Sequence, residues 1–491
     1  MATLTLLQLL TLPLCLSAWG AGVYADWLVL SASAALLGVV DCGLSGCLGN
    51  GLRNAWARGD DAGFRQILRT GLFVYAGLVG VAVVSLVGVT AVADLPTLLG
   101  VSRLERGGIV LVLLGFAVIL LLPRGMVAAV YSARGEFNRE VGSILVMSAG
   151  QLTVQAATVL AGGTPLHTAA AGLIAALAFG WGGLLWALAR HHPDISLSPG
   201  WPGWPELRRL AVRLPLYAVP PASAIVLLHI PVLALGRLTS PGELLAFTTM
   251  RTFTGLIRQM AAQFATAAGI EMAAQHARND RAGVAALLSR TGPLTGGMIG
   301  LLAGLAMVIG PGFFSLWTHH AIGFDPLLAA LFLGAVLAMA PANGATGLLR
   351  FIDQPGPMAR CLLAQVLCSL LFCLLLIPVA GAAGAIMAIG GAEVLTVGLY
   401  GGAIGGRLVG LPMAPVVRRT YAVALPSLCL SFGVAWLVGW VVTADGVGLI
   451  PFTVLWGLLV AGPALLVISD AHQWAWLVRR FHRSCRLRLR L

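Results

Sequence analysis

The chain has 491 residues, 59% of them hydrophobic and only 10% charged, with a mean hydropathy of +0.93. A soluble domain is about a quarter charged, so this composition excludes one and implies an all-α polytopic membrane protein. The net charge of +12 comes from arginine alone, because no lysine occurs; the arginines sit in short loops between apolar runs, which argues against a nucleic-acid surface.

Apolar runs of bilayer length, separated by turn or charge punctuation, predict about fourteen transmembrane helices. They fall at 3–18, 22–47, 70–92, 107–130, 141–161, 166–189, 213–235, 243–270, 293–316, 327–349, 359–379, 382–405, 421–443 and 449–470. The first lacks the basic start of a secretory signal and runs on into another span, so it reads as a short helix. Arginine placement orders the set, because cytoplasmic loops are enriched in basic residues. Arg124, Arg251 and Arg258 lie within spans and Arg103, Arg106 and Arg237 in one set of loops. The remaining arginines, including Arg134, Arg139, Arg278, Arg281, Arg350 and Arg360, fall in the alternate loops or in the tail from Arg479 to Arg490. Both termini are therefore predicted in the cytoplasm, with the basic tail at the anionic inner leaflet.

An internal repeat is legible. ARGDDAGF (Ala57 to Phe64) follows the second span and ARNDRAGV (Ala277 to Val284) the eighth, at an offset of 220. Pro123 pairs with Pro341, and Pro13 with Pro231, at an offset of 218. An offset of six helices predicts two parallel six-helix repeats around a central cavity, plus two C-terminal helices. The corresponding division is an N-lobe over 1–190, a cytoplasmic linker over 191–212, a C-lobe over 213–406, and the last two helices with the basic tail over 407–491.

The eighth span carries Arg251 and Arg258. Their seven-residue spacing returns the two guanidiniums to within roughly 20° of each other and about 10 Å apart along the axis. Thr248, Gly255, Gln259, Ala262 and Thr266 share or flank that stripe, while Phe253, Ile257, Met260 and Phe264 lie opposite. An arginine at mid-span normally faces a bundle interior or a wet cavity, and guanidinium groups bind phosphate bidentately. A structural ion pair with Asp41 or Glu393, or snorkelling of Arg258 toward the cytoplasmic surface, is the competing use. Arg124 is placed either for substrate contact or for snorkelling. Gln155 and Asn343 could hydrogen-bond sugar hydroxyls, although interhelical bonding is the commoner use of such amides. Asp41 and Glu393 are the acidic candidates for ion coupling, with a structural role for Asp41 as the alternative. The pairs His191/His192 and His319/His320 lack companion ligands, so no metal site is predicted. Without lysine no G-x-x-x-x-G-K-[ST] phosphate loop exists, and no cofactor is expected.

WGAGVYADWLVLSASAALLGVVDCGLSGCLGNGLRNAWARGDDAGF combines a G-x-x-x-Y-x-x-W-x-x-L entry to the second span, an aspartate followed closely by Gly-Leu, and a short A-x-G-D loop. Gly20, Tyr24, Trp27, Leu30, Asp41, Gly43, Leu44 and Asp60 carry the match. With FTTMRTF in the eighth span and ARNDRAG after it, the chain resembles polysaccharide flippases of the Wzx type, in the multidrug/oligosaccharidyl-lipid/polysaccharide exporter superfamily. The resemblance implies ion-coupled alternating access, with H+ or Na+ as coupling ion. The cargo it implies is an undecaprenyl-diphosphate-linked oligosaccharide, moved across the bacterial inner membrane for surface polysaccharide biosynthesis. It also implies Arg251 as the cavity cation, and polysaccharide polymerase and chain-length proteins as partners. One departure is the short first helix, with no basic extension before it.

Two other functions compete. A multidrug cation exporter of the same superfamily would want acidic groups where this chain has arginines. A membrane-embedded glycan-assembly enzyme would want an extramembrane domain and a convergent catalytic set, and neither is legible, so the chain is expected not to be an enzyme.

Overall fold

In a bilayer every backbone donor must be satisfied within its own segment, which leaves the helix as the state open to these apolar runs. The computed structural model describes residues 2–201, 203–352 and 355–442, and among them every regular element is helical. Ten helices among the described residues are long and apolar enough to cross a membrane. One of these, Gly356–Val409, is 54 residues long, which unbroken would measure about 80 Å against a hydrocarbon core of about 30 Å. It is broken at Gly381 (φ 52, ψ −127), and Ala2–Leu36 is broken in the same way at Gly20 (φ 77, ψ 166). Both breaks use the left-handed φ that glycine alone adopts freely, and both fall in the predicted gaps, 18–22 and 379–382. The predicted span 449–470 and the tail from Arg479 to Arg490 lie outside the described residues.

The repeat is structural as well as textual. After Leu44–Ala57, Gly59 turns at φ 67 and Asp60 caps the helix Asp61–Val92 by accepting the Gly63 N–H at 2.8 Å. After Pro241–Ala277, Asn279 turns at φ 59 and Asp280 caps Arg281–Trp317 by accepting the Gly283 N–H at 2.9 Å. At Pro123 a helix parts into Gly107–Leu121 and Arg124–Ala133; at Pro341 another parts into Pro326–Met339 and Asn343–Phe351. Each Pro lacks the N–H that would continue the ladder. A third pair was not read from the sequence: Ala176–Gly182 and Val394–Gly401 both loosen into wide π turns, at the same offset of 218.

The described residues pack as two compact units, one from residues up to Thr248 together with Leu362–Ile389, the other from Thr249–Cys361 and the described residues from Gly390. In the first unit, loops assigned to one side of the membrane by the arginine pattern touch one another. Trp19 Nε1 donates to Gly163 O at 2.9 Å, and Asp26 accepts the backbone N–H groups of Ser102, Arg103 and Leu104 at 3.1, 2.6 and 3.1 Å. On the other side, the Arg134 guanidinium lies 4.7 Å from the Trp56 ring centroid and grips Asp194, while Gly200 N donates to Arg69 O at 3.3 Å. The helix Trp204–Leu238 starts before the expected 213, so part of the predicted linker is helical.

The second unit is held by a ridge of small residues. Gly292, Gly296, Gly300 and Gly304 recur every fourth position along Arg281–Trp317 and lie against Thr420, Ala424 and Leu428 of Met413–Val442, so closely that a Cβ on any of them would collide. Such small-residue ridges let helix backbones meet where lipid offers no hydrophobic drive. At one end of this unit Phe253, Phe313, Phe314, Trp317 and Phe324 form an aromatic cluster. At the other end Met272, Val284, Leu288, Ala345 and Leu348 form a buried apolar knot.

Candidate functional site

A cleft of about 90 Å³ opens in the second unit, enough for a few water molecules. The helix Pro241–Ala277 supplies Arg258, Ala261, Ala262, Ala265 and Thr266; Pro326–Met339 and Asn343–Phe351 supply Val336, Met339, Asn343, Thr346, Gly347 and Arg350. Glu393 and Val397 come from the end of Pro355–Glu393 and the wide-turn segment after it. Two close approaches frame it. A Cβ on Gly269 would meet Gly347 O at 2.6 Å, and one on Gly347 would meet Ala265 O at 2.5 Å, so these two helices touch beside the cleft.

The charged lining residues are Arg258, Arg350 and Glu393, so the cleft carries one surplus positive charge. Arg258 Nη2 donates to Glu393 Oε1. The Arg258 side chain is 52% exposed and that of Glu393 14%. With the Arg258 side chain open, a competing oxyanion can reach its guanidinium. Arg350 stands in the last turn of its helix and, among the described residues, its side chain makes no hydrogen bond or salt bridge, although it feels the charges of both Glu393 and Arg258. Asn343 and Thr346 share its stripe, and Ala261, Val336, Met339 and Val397 give the cleft an apolar wall. This combination suits an anion attached to an apolar chain.

The sequence-derived candidates divide between this site and other places. Arg258, Asn343 and Glu393 converge here, and the pairing of Arg258 with Glu393 realises the structural alternative for one of the two stripe arginines. Arg251, two turns away on the same helix, is half-buried and does not line the cleft. Thr248 is buried and bonds back to Leu244 O at 2.9 Å, so the working stripe is Arg258, Ala262 and Thr266.

The other candidates lie in the first unit. Arg124 is buried, donating from Nε to Gly180 O at 3.1 Å within the wide turn and from Nη2 to Ser143 Oγ at 3.0 Å. Gln155 packs its amide against Gly172 of the neighbouring helix Pro165–Ala175. Asp41 accepts from Ser45 Oγ at 2.9 Å and from Tyr75 OH, whose oxygen is also 2.6 Å from Ser45 Oγ.

Three residues were not foreseen. Arg350 was assigned to a loop, yet its seven-residue spacing from Asn343 places both on one helical stripe. Asp26 and Glu243 are acidic residues that bind backbone N–H groups beside helix breaks: Asp26 those of 102–104, Glu243 that of Ala382 at 3.1 Å, next to Gly381.

The architecture has solved counterparts. The lipid II flippase MurJ, in an inward closed conformation, aligns with a TM-score of 0.65 at 12% identity, covering 94% of this chain and 98% of that one. An inward-facing multidrug resistance MATE family transporter of the MOP superfamily aligns with a TM-score of 0.60 at 12% identity, covering 84% and 99%. A MATE structure in the straight conformation aligns at 0.55 and 14% identity, covering 83% and 95%. The chain shares its fold with these solved transporter structures. No protein-family model and no curated protein matches the sequence. The chain is thus a multi-pass membrane protein that shares its fold with these solved structures.

Proposed function

We propose that the protein is a Wzx-type flippase of the bacterial inner membrane, with cytoplasmic termini, moving an undecaprenyl-diphosphate-linked oligosaccharide by alternating access for surface polysaccharide biosynthesis. The observation that carries this reading is the surplus positive charge of the cleft, with the Arg350 side chain making no hydrogen bond or salt bridge among the described residues. A diphosphate satisfies both guanidiniums at once. Asn343 donates to the phosphate or first sugar, the apolar wall takes the start of the isoprenoid, and Arg251 adds positive potential farther along the same helix. Fold similarity to multidrug transporters favours a second reading, export of lipophilic cations, but a cleft with two arginines and one carboxylate repels a cation.

The test is complementation. In a strain whose surface polysaccharide depends on this gene, R258Q and R350Q each lower export by roughly tenfold, the effect of losing one charge-assisted bond of about 1.5 kcal/mol, at unchanged membrane protein levels. Normal export by the double variant removes the cleft from the mechanism.

A further inference from the structure

The segment between helix Gly183–His191 and helix Trp204–Leu238 lies along the first unit as a strap. Its side chains alternate. Ile195 and Leu197 are half-buried against the cluster of Leu44, Leu52, Phe64 and Leu68, while Ser196 and Ser198 are exposed. Trp201 departs from that order: it is the largest apolar side chain of the strap and is 70% exposed, and Trp204, which opens the next helix, is 72% exposed.

Depth in the membrane accounts for the exposure. The Trp201 ring meets Phe73 edge-on with centroids 5.1 Å apart, and Gly200 donates its N–H to Arg69 O at 3.3 Å. Both contacts are on helix Asp61–Val92, whose residues from Gly71 to Val92 carry no charge. Those 22 residues rise about 33 Å, the thickness of a hydrocarbon core. Phe73, and Trp201 with it, therefore stand at the edge of the hydrocarbon. Indole suits that depth, with its ring among the acyl chains and its N–H at the headgroups.

Charge at the same place selects the headgroup. Arg65 and Arg69 are exposed, one turn apart on one face of that helix and about 6 Å apart along its axis. Neither side chain has a hydrogen bond or salt bridge among the described residues, and Asp61, one turn farther from the hydrocarbon, makes none with Arg65. Arg69 is held against the strap, where a Cβ on Gly200 would lie 2.8 Å from its Nε and 3.0 Å from its Nη2.

We propose that Arg65, Arg69 and Trp201 form a binding site for one anionic phospholipid, with the guanidiniums on its phosphate and the indole along its glycerol and upper acyl chain. The strap is then fastened to one leaflet as well as to the first unit. Guanidinium groups take phosphate bidentately. A zwitterionic lipid brings a cation beside that phosphate, which two guanidiniums repel, and phosphatidylglycerol brings none. A soluble phosphate would engage the arginines but leave Trp201 uncovered, so the apolar half of the site commits it to lipid.

The test is native mass spectrometry of the purified, delipidated full-length protein, offered phosphatidylglycerol and phosphatidylcholine with identical acyl chains. Wild type is expected to retain one phosphatidylglycerol in preference, and R65Q with R69Q to lower that preference about tenfold. R58Q with R190Q removes as much charge from other exposed positions and is expected to leave it unchanged. An equal fall in the two double variants, or displacement of the lipid by inorganic phosphate alone, overturns the proposal. A second readout concerns Trp201. W201C carrying a nitroxide, in a cysteine-free background and in phosphatidylglycerol nanodiscs, is expected to collide more with oxygen than with a water-soluble nickel complex. The reverse order puts residue 201 in water and overturns the site.

Discussion

Arg350 and Arg134 are both arginines at the end of a helix, and their surroundings give them opposite uses. Arg134 has its charge consumed: it grips Asp194, contacts His192 Nδ1 at 2.8 Å and lies over Trp56. Hydrogen bonds from Arg134 hold the Asp194 carboxyl below its ordinary 3.8. A carboxylate depressed in the folded state contributes stability above its unfolded value and loses it as pH falls through the lower folded value. The segment after His192 should therefore keep its amide protection down to about pH 4 and lose it below that. D194N should show the same loss at neutral pH, and hydrogen exchange across 193–203 measures both. Unchanged exchange in D194N would mean that this pair does not fasten the segment. Arg350 has no such grip, and this leaves its charge available to a ligand. Neither fate is legible from residue type. Arg350 looked like a loop residue because a basic residue after an apolar run usually marks the membrane surface, and only its stripe with Asn343 and Thr346 distinguishes the two cases.

Helix breaks were the legible part at the level of elements. Proline at 123 and 341, and glycine at 20 and 381, announce themselves because each removes a donor or permits a φ that other residues avoid. The caps at Asp60 and Asp280 show what the repeated loop motif does, a role not read from the sequence. The wide turns at Ala176–Gly182 and Val394–Gly401 were not legible, because an extra residue in a helical turn needs no particular side chain. The glycine ridge at 292, 296, 300 and 304 was available in the sequence as a period of four and was hidden by the abundance of glycine elsewhere. Its role is testable. Gly300→Val drives a side chain into the Ala424 carbonyl and should cost about 1–3 kcal/mol, seen as earlier thermal unfolding in detergent. Gly334→Ala, where a Cβ meets nothing within 4 Å, should cost nothing. Equal stability of the two variants would show that the two helices are not locked by that ridge.

For the whole molecule, the apolar runs were enough to anticipate helices at thirteen of the fourteen predicted positions, the last lying beyond the described residues; ten described helices are long and apolar enough to cross a membrane, and Pro241–Ala277 is not among them. Charge placement in the second unit was harder to read, because the cleft is assembled from segments more than a hundred residues apart: Arg258 and Glu393 become neighbours only after folding. The polar stripe singled out a helix that lines the cleft, while the pairing of one arginine and the availability of another depended on tertiary packing. The central claim is that this surplus charge selects an anion on an apolar chain over a lipophilic cation. It is tested most directly by equilibrium binding of radiolabelled farnesyl diphosphate and of tetraphenylphosphonium to the purified full-length protein. The account predicts that farnesyl diphosphate binds and that R258Q with R350Q abolishes this, while tetraphenylphosphonium does not bind. Binding of tetraphenylphosphonium with no binding of the diphosphate would contradict it.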